Sequence, residues 1–171
     1  MSNKSELSVN DTSPQDAPES SMSLEDMLLL DNQLCFPLYA TAKEVVRRYT
    51  PFLAPFDLTY TQYIAMMVLW ETKTVGVSEL GERLMLDSGT LTPLLRKLED
   101  KKYLVREKSK VDGRRLVVSL TQEGASLKHK MTVVPQEMGS CVHLSPAEIS
   151  ELKRLLKKVT DNILKSADSR E

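Results

Sequence analysis

Two short helix-like segments set back to back, followed at once by two β-like runs around an Asp-Gly turn, constrain this chain more than any other feature. Val77-Ser78-Glu79-Leu80 opens the first segment, which carries Leu80, Leu84 and Leu86. Asp87-Ser88 then offers a fresh N-cap. Gly89 to Lys101 predicts a second helix with Leu91, Leu94, Leu95 and Leu98 on one face. Tyr103 to Glu107 and Arg115 to Thr121 read as strands that flank Ser109-Lys110-Val111-Asp112-Gly113, where Asp-Gly is a strong turn signal.

The order helix, turn, helix, hairpin is the plan of a winged helix. Its second helix can lie in a major groove and its hairpin tip can reach the neighbouring minor groove. The flanks read as helical. Leu34 to Tyr49 has Leu34, Leu38, Val45 and Val46 at helical spacing and is expected to end before Pro51. Thr59 to Trp70 opens on a plausible Thr-Tyr-Thr cap. Helix resumes from Glu123, with an interruption expected around Pro135 to Ser145. The last helix starts at Ser145-Pro146-Ala147-Glu148, a capping box with Pro at the first helical position. The expected fold class is mainly α with a small β-hairpin wing. Residues 1–23, rich in Ser, Asp, Glu and Pro, are expected to form a disordered acidic tail. Residues 24–171 are expected to form one domain, with the winged lobe at about 59–121.

The 171 residues carry a formal net charge of -1, which by itself speaks against a nucleic-acid partner. The sum hides unlike parts. Residues 1–26 hold one base and six acids, and the remainder is net +4. From Ser88 to Arg115 nine bases stand against four acids, a net of +5. Such a cluster supplies the phosphate attraction that dominates non-specific DNA affinity. Ser88, Gly89, Thr90, Thr92 and Pro93 are small or hydroxylated, which lets a helix N-terminus approach phosphates and base edges. Pro93 is expected near the first turn, where its missing N–H costs little. Arg96 and Lys97 follow on the same helix, and Arg114 and Arg115 sit at the hairpin tip. A plain cap and a solvated basic surface would use the same residues. The helix–helix–hairpin order with a basic tip favours double-stranded DNA.

Other classes are excluded or unsupported. No apolar run of about 18 residues exists, so no membrane span is expected. The polar N-terminus lacks a secretory h-region, so a cytoplasmic location is expected. There is no Gly-rich phosphate loop, Ser/His/Asp set or paired-carboxylate site, and His129 and His143 lack metal-ligand spacing. No enzyme activity, cofactor or metal is expected.

Two cysteines make neither a disulfide framework nor a zinc site. A reactive cysteine must spend time as thiolate, so it needs hydrogen-bond donors, positive charge or a helix N-terminus. Cys35 lies near the start of a predicted helix, followed by Phe36, Tyr39, Tyr49 and Tyr60. From these residues alone Cys35 is either a structural thiol or a reactive one. Pro37 would kink a helix that began at Asp31. A start near Phe36 would instead leave Cys35 close to the positive end of the dipole. Cys141 sits in Gly139-Ser140-Cys141-Val142-His143, expected to be a flexible stretch, and is either incidental or a second redox partner.

Val77-Ser78-Glu79-Leu80-Gly81-Glu82-Arg83-Leu84, Leu86-Asp87-Ser88-Gly89-Thr90-Leu91-Thr92-Pro93-Leu94-Leu95-Arg96-Lys97-Leu98 and Asp112-Gly113-Arg114-Arg115 together resemble the MarR family of winged-helix repressors. Asp31-Asn32-Gln33-Leu34-Cys35-Phe36, with Leu58-Thr59-Tyr60-Thr61-Gln62-Tyr63 and Leu69-Trp70-Glu71, is similar to its organic-hydroperoxide-sensing OhrR-type branch. Cys141 points to the two-cysteine subtype. The resemblance covers about Leu30 to the C-terminus and departs at Pro37, where the family has a non-proline residue.

The resemblance implies a homodimer, with about 30–58 and 122–171 as dimerisation helices, on a palindromic operator. It implies Ser88, Gly89, Thr90, Thr92, Pro93, Arg96 and Lys97 on the recognition helix, Arg114 in the minor groove and Asp112 holding that arginine. It implies that Tyr49 and Tyr60 of the partner subunit donate hydrogen bonds to Cys35, with Tyr39 beside the same pocket. Phe36 and nearby apolar residues would favour organic hydroperoxides. Oxidised Cys35 would join Cys141 of the partner subunit in a disulfide and release DNA. Two alternatives stand beside this: a MarR-type regulator responding to a non-covalent phenolic ligand, and a thiol peroxidase. The peroxidase lacks any Thr-x-x-Cys or Cys-x-x-Cys arrangement here.

Overall fold

The computed structural model describes residues 23–168; the expected acidic tail, apart from Ser23, lies outside the described residues. Contacts divide the chain between Ala42 and Lys43, whereas the sequence reading ran one domain from 24 to 171.

In the first unit two 3-10 turns, Asp26–Leu28 and Leu30–Asn32, precede a long helix. Ser23 and Asp26 cap each other reciprocally, with Ser23 Oγ donating to Asp26 Oδ2 at 2.7 Å and Asp26 N donating to Ser23 Oγ at 3.0 Å. Asn32 Nδ2 donates to Asp26 O at 2.8 Å, and Gln33 Nε2 donates to Met27 O. No described side chain before Lys43 is buried, and Leu24, Leu28, Leu29, Leu30 and Leu34 are exposed.

Helix α1 spans Cys35–Leu53. It starts at Cys35, so Pro37 falls in the first turn, where its missing N–H has no helical partner to lose. At the other end α1 runs through Pro51 instead of stopping at Tyr49. Pro51 removes only the bond to the carbonyl of Arg47, an exposed residue whose carbonyl water can serve, while buried Leu53 anchors the last turn. A 3-10 turn, Ala54–Phe56, follows, closed by Asp57 at φ 51°.

Helix α2, Tyr60–Thr72, begins with a capping box: Thr59 Oγ1 accepts from Gln62 N and Gln62 Oε1 accepts from Thr59 N. Its buried residues include Tyr63, Ala65, Met66, Val68 and Leu69, which makes it the central helix of the second unit. Strand β1, Thr74–Gly76, leads into α3, Val77–Leu84, and α4, Ser88–Asp100. Strands β2, Leu104–Lys108, and β3, Leu116–Leu120, form the wing. The sheet is antiparallel in the order β1-β3-β2, with Val75 opposite Val118 and Arg106 opposite Val118 on the other side. Three residues are too few for an alternation to register, so β1 was not expected from sequence.

Helices α5, Gln122–Lys130, α6, Val133–Val142, and α7, Pro146–Asp168, complete the chain. The interruption expected around Pro135 to Ser145 is corrected. The breaks lie at 131–132 and 143–145, and Pro135 sits in the first turn of α6. Buried Val134 and Met138, one turn apart, hold α6 against the core. Ser145 and Glu148 form the expected capping box of α7. None of the α7 side chains among the described residues is buried, and Leu152, Leu155, Leu156, Ile163 and Leu164 are exposed. Among the described residues no helix is long and apolar enough to cross a membrane.

Gly124 ties α5 to the wing. A Cβ there would stand 2.1 Å from the carbonyl oxygen of Tyr103, and the Gly124 carbonyl accepts from Trp70 Nε1 at 2.8 Å. Gly124→Ala is expected to destabilise the protein by at least ~1–3 kcal/mol through overpacking. Gly139→Ala, in α6 with open space around it, is expected to be neutral or stabilising by up to ~1 kcal/mol. Urea unfolding midpoints of the two variants check this; equal midpoints would contradict the packing at Gly124.

Candidate nucleic-acid interface and thiol site

The turn between α3 and α4 depends on a close approach. Met85, at φ 54°, caps α3, and Leu86 N donates to Gly81 O at 2.9 Å. A Cβ on Gly81 would stand 3.0 Å from Leu86 O and 3.3 Å from Leu91 Cδ2, so a glycine lets the turn fold back onto the helix. Leu86 belongs to this turn, not to α3 as its spacing suggested. Sequence reasoning singled out neither Gly81 nor Met85; the Gly-x-x-x-Met run gives no signal without the turn geometry.

Asp87 caps α4. Its Oδ1 accepts from Thr90 N at 2.9 Å and its Oδ2 from Thr90 Oγ1 at 2.8 Å. These bonds hold the Asp87 carboxyl below its ordinary range. Leu91, Leu94, Leu95 and Leu98 are buried, so the opposite face points outward. Ser88, Gly89, Thr90, Thr92, Pro93, Arg96 and Lys97 are all exposed on it. Thr92 Oγ1 donates back to Ser88 O at 2.7 Å. Pro93 is the sixth residue of α4 and not, as expected, part of its first turn. It leaves the Gly89 carbonyl without a helical donor, and that carbonyl belongs to an exposed residue which solvent or a ligand can satisfy.

Not every base of the cluster is free. Glu99, near the end of α4, accepts from Arg106 N at 3.0 Å and from Arg106 Nε at 2.8 Å, clamping the helix to β2. The Arg106 guanidinium holds the Glu99 carboxyl below its usual value. Lys101 pairs with Asp57, whose carboxyl it lowers in turn. At the wing tip Ser109 N donates to Arg115 O at 2.8 Å and closes the loop. Asp112 was expected to hold Arg114. Its Oδ1 accepts from the Arg114 backbone N–H at 3.1 Å, but its Oδ2 pairs with Arg115 Nε at 3.3 Å and not with the Arg114 guanidinium. The bend at the tip places Arg115, three residues on, over the carboxylate. Among the described residues Arg96, Lys97, Lys108, Lys110 and Arg114 make no ion pair.

Both cysteines are free and exposed. Cys35 is the first residue of α1 in the first unit, with exposed Phe36 next and Tyr39 one turn on. In the second unit Tyr49 and Tyr60 come together, ring centroids 4.8 Å apart, and Tyr63 packs 5.8 Å from Tyr49. Burial, then the neighbouring Tyr60, pushes the Tyr49 hydroxyl above its ordinary range, so it stays a proton donor. Burial, then Tyr49 and Tyr60, does the same for Tyr63. Sequence reasoning missed Tyr63; its place one turn after Thr59 on the buried side of α2 was the available signal. Cys141 lies on the last turn of α6, not on a flexible stretch, and His143 follows as a left-handed cap at φ 50°. Among the described residues no three or more His, Cys, Asp or Glu side chains come together as a metal site.

The lowered carboxyls carry a pH dependence. A depressed pKa stabilises the fold above the ordinary carboxylate value and loses that contribution as protons return at lower pH. Stability is therefore expected to fall as pH drops below about 4, with Asp87 and Glu99 among the contributors. Asp87→Asn is expected to flatten that acid limb. Urea midpoints measured across the acid range check this, and parallel limbs would count against the Asp87 cap.

Comparison with known proteins agrees with this geometry. A family profile described as transcriptional regulator SarA/Rot matches residues 47–131. The chain is 43% identical over 130 residues to the organic hydroperoxide resistance transcriptional regulator of Bacillus subtilis, across 76% of this chain and 86% of that protein. Its fold is similar to that of AbfR of Staphylococcus epidermidis, solved reduced and bound to DNA (TM-score 0.68, 31% identity, 80% of this chain and 93% of that one). It is also similar to a MarR variant from E. coli complexed with operator DNA (TM-score 0.68, 27% identity, 74% and 92%). An outward-facing helix after a tight turn, a basic wing and this degree of likeness lead to one conclusion: the chain belongs to the MarR family of winged-helix transcriptional regulators, in the branch of the organic hydroperoxide resistance regulators.

Proposed function

We propose that the protein is a redox-sensing repressor. As a homodimer it binds a palindromic operator when reduced and represses a peroxide-detoxifying gene. The exposed pair of free thiols, Cys35 and Cys141, carries this reading. The Cys35 thiolate attacks the distal oxygen of an organic hydroperoxide; the O–O bond breaks, an alcohol leaves and the sulfur becomes a sulfenic acid. Cys141 of the partner subunit then attacks that sulfur, water leaves, and a disulfide joins the two chains. Tyr49 and Tyr60 of the partner subunit serve as hydroxyl donors to the sensing thiol, and Tyr39 and Phe36 flank it.

The exposed leucines of α7 and of residues 24–34 support a dimer, because apolar surface of this extent calls for cover. Two winged lobes would read half-sites about one duplex turn apart, and a chain-to-chain link would spoil that spacing. The neighbour AbfR is also solved overoxidised and bound to DNA. In this reading release accordingly follows from the link between chains and not from oxygen on sulfur alone.

Wild-type affinity for operator is expected to fall more than about tenfold with an organic hydroperoxide, toward the non-specific level, and to recover with a thiol reductant. Cys35→Ser is expected to stay on DNA throughout; peroxide-driven release of that variant would end the sensing assignment. Cys141→Ser is expected to give no linked dimer on non-reducing electrophoresis and to keep its operator. Arg114→Ala is expected to weaken binding and reduce the salt slope of log Kd by about one unit per wing, measured by anisotropy over a salt series.

A further inference from the structure

Val111 is the most exposed large apolar residue among those described, at 99%. It stands in the loop between β2 and β3, and that loop is not loosely held. Ser109 Oγ accepts from the backbone N–H groups of both Val111 and Asp112 at 3.2 Å, and Arg115 N donates to Asp112 O at 2.9 Å. The tip is therefore a closed turn that presents one isopropyl group to solvent. The same hairpin segment carries Lys108, Lys110 and Arg114, all exposed and none in an ion pair among the described residues, while Asp112 pairs with Arg115. An exposed apolar side chain on a loop that also carries cations without ion pairs matches a partner with apolar walls and anionic rims. The minor groove of duplex DNA has that chemistry, with deoxyribose faces as walls and phosphates as rims.

We infer that Val111 is a DNA-contacting residue that seats against the sugar walls of the minor groove, held there by the cations beside it. This rests on the DNA-binding reading above. It adds an apolar, salt-independent contribution at a position distinct from Arg114. Burying an exposed valine removes apolar surface from water without releasing counterions. Its loss therefore changes affinity and leaves the salt slope alone, whereas loss of an arginine changes both.

The test uses the full-length reduced protein and a duplex that the wild type selects from a pool randomised over about 20 base pairs. Binding of wild type, Val111→Ser, Val111→Leu and Arg114→Ala is followed by anisotropy across a salt series. Val111→Ser is expected to raise Kd about 5- to 20-fold with an unchanged slope. Val111→Leu, which keeps an apolar tip, is expected to stay within about twofold. The inference is overturned if Val111→Ser binds like wild type, if its loss flattens the slope as Arg114→Ala does, or if Val111→Leu fails as Ser does. It is also overturned if Val111 matters only for binding phosphatidylserine vesicles. A wild type that selects no duplex would instead overturn the DNA reading itself, and this inference with it.

Discussion

The burial of four leucines on one face of α4 is the constraint on which the rest of this structure depends. Leu91, Leu94, Leu95 and Leu98 recur at helical spacing and all lie in the core, Leu98 completely. With that face fixed inward, the rotation of the helix about its axis is fixed too. Ser88, Thr92, Arg96 and Lys97 then have nowhere to point but outward. Gly81 permits the arrangement, since any side chain there would press on the turn and on Leu91. The reading face is thus a consequence of packing, and apolar burial sets its geometry.

Electrostatics divides the basic cluster into two populations. Arg106, Lys101 and Arg115 are spent on Glu99, Asp57 and Asp112, where they tie α4 to β2, the end of α4 to the turn before α2, and the wing tip to itself. The bases left over on α4 and the wing keep their charge for a partner. A sequence count treats all nine alike. The fold instead uses some to hold the scaffold and offers the rest to phosphates, so the count of nine bases overstates what reaches DNA.

Much of the fold is legible in the sequence where the signal is local. The Thr59 cap, the Ser145–Glu148 box and the Asp87 cap follow from short-range hydrogen bonding, and the structure contains each of them, with Gln62 completing a box at Thr59. The Asp-Gly hairpin is legible for the same reason. The missed features are non-local or compensated. Strand β1 exists because β3 offers it an edge, with Thr74 Oγ1 and Ser119 Oγ 3.1 Å apart across the ladder. Pro51 does not end α1, because buried Leu53 outweighs one lost bond at an exposed carbonyl. Cys141 rides on a helix because Val134 and Met138, rather than Pro135, decide the fate of α6.

By itself the sequence determined the helix–helix–hairpin order of the winged lobe, the inward face of α4, the basic character of the lobe and the presence of a thiol, Cys35, ahead of a row of tyrosines. Each of these depends on residue type and spacing within a few positions. Only the tertiary structure decided which cations remain free, that Asp112 pairs with Arg115 and not the Arg114 side chain, that Tyr63 joins Tyr49 and Tyr60, and that Val111 is held out alone at the wing tip. The physical reason is the same in each case. Pairing, ring contact and exposure depend on which residues distant in sequence come within a few ångströms, and only the folded chain sets those distances.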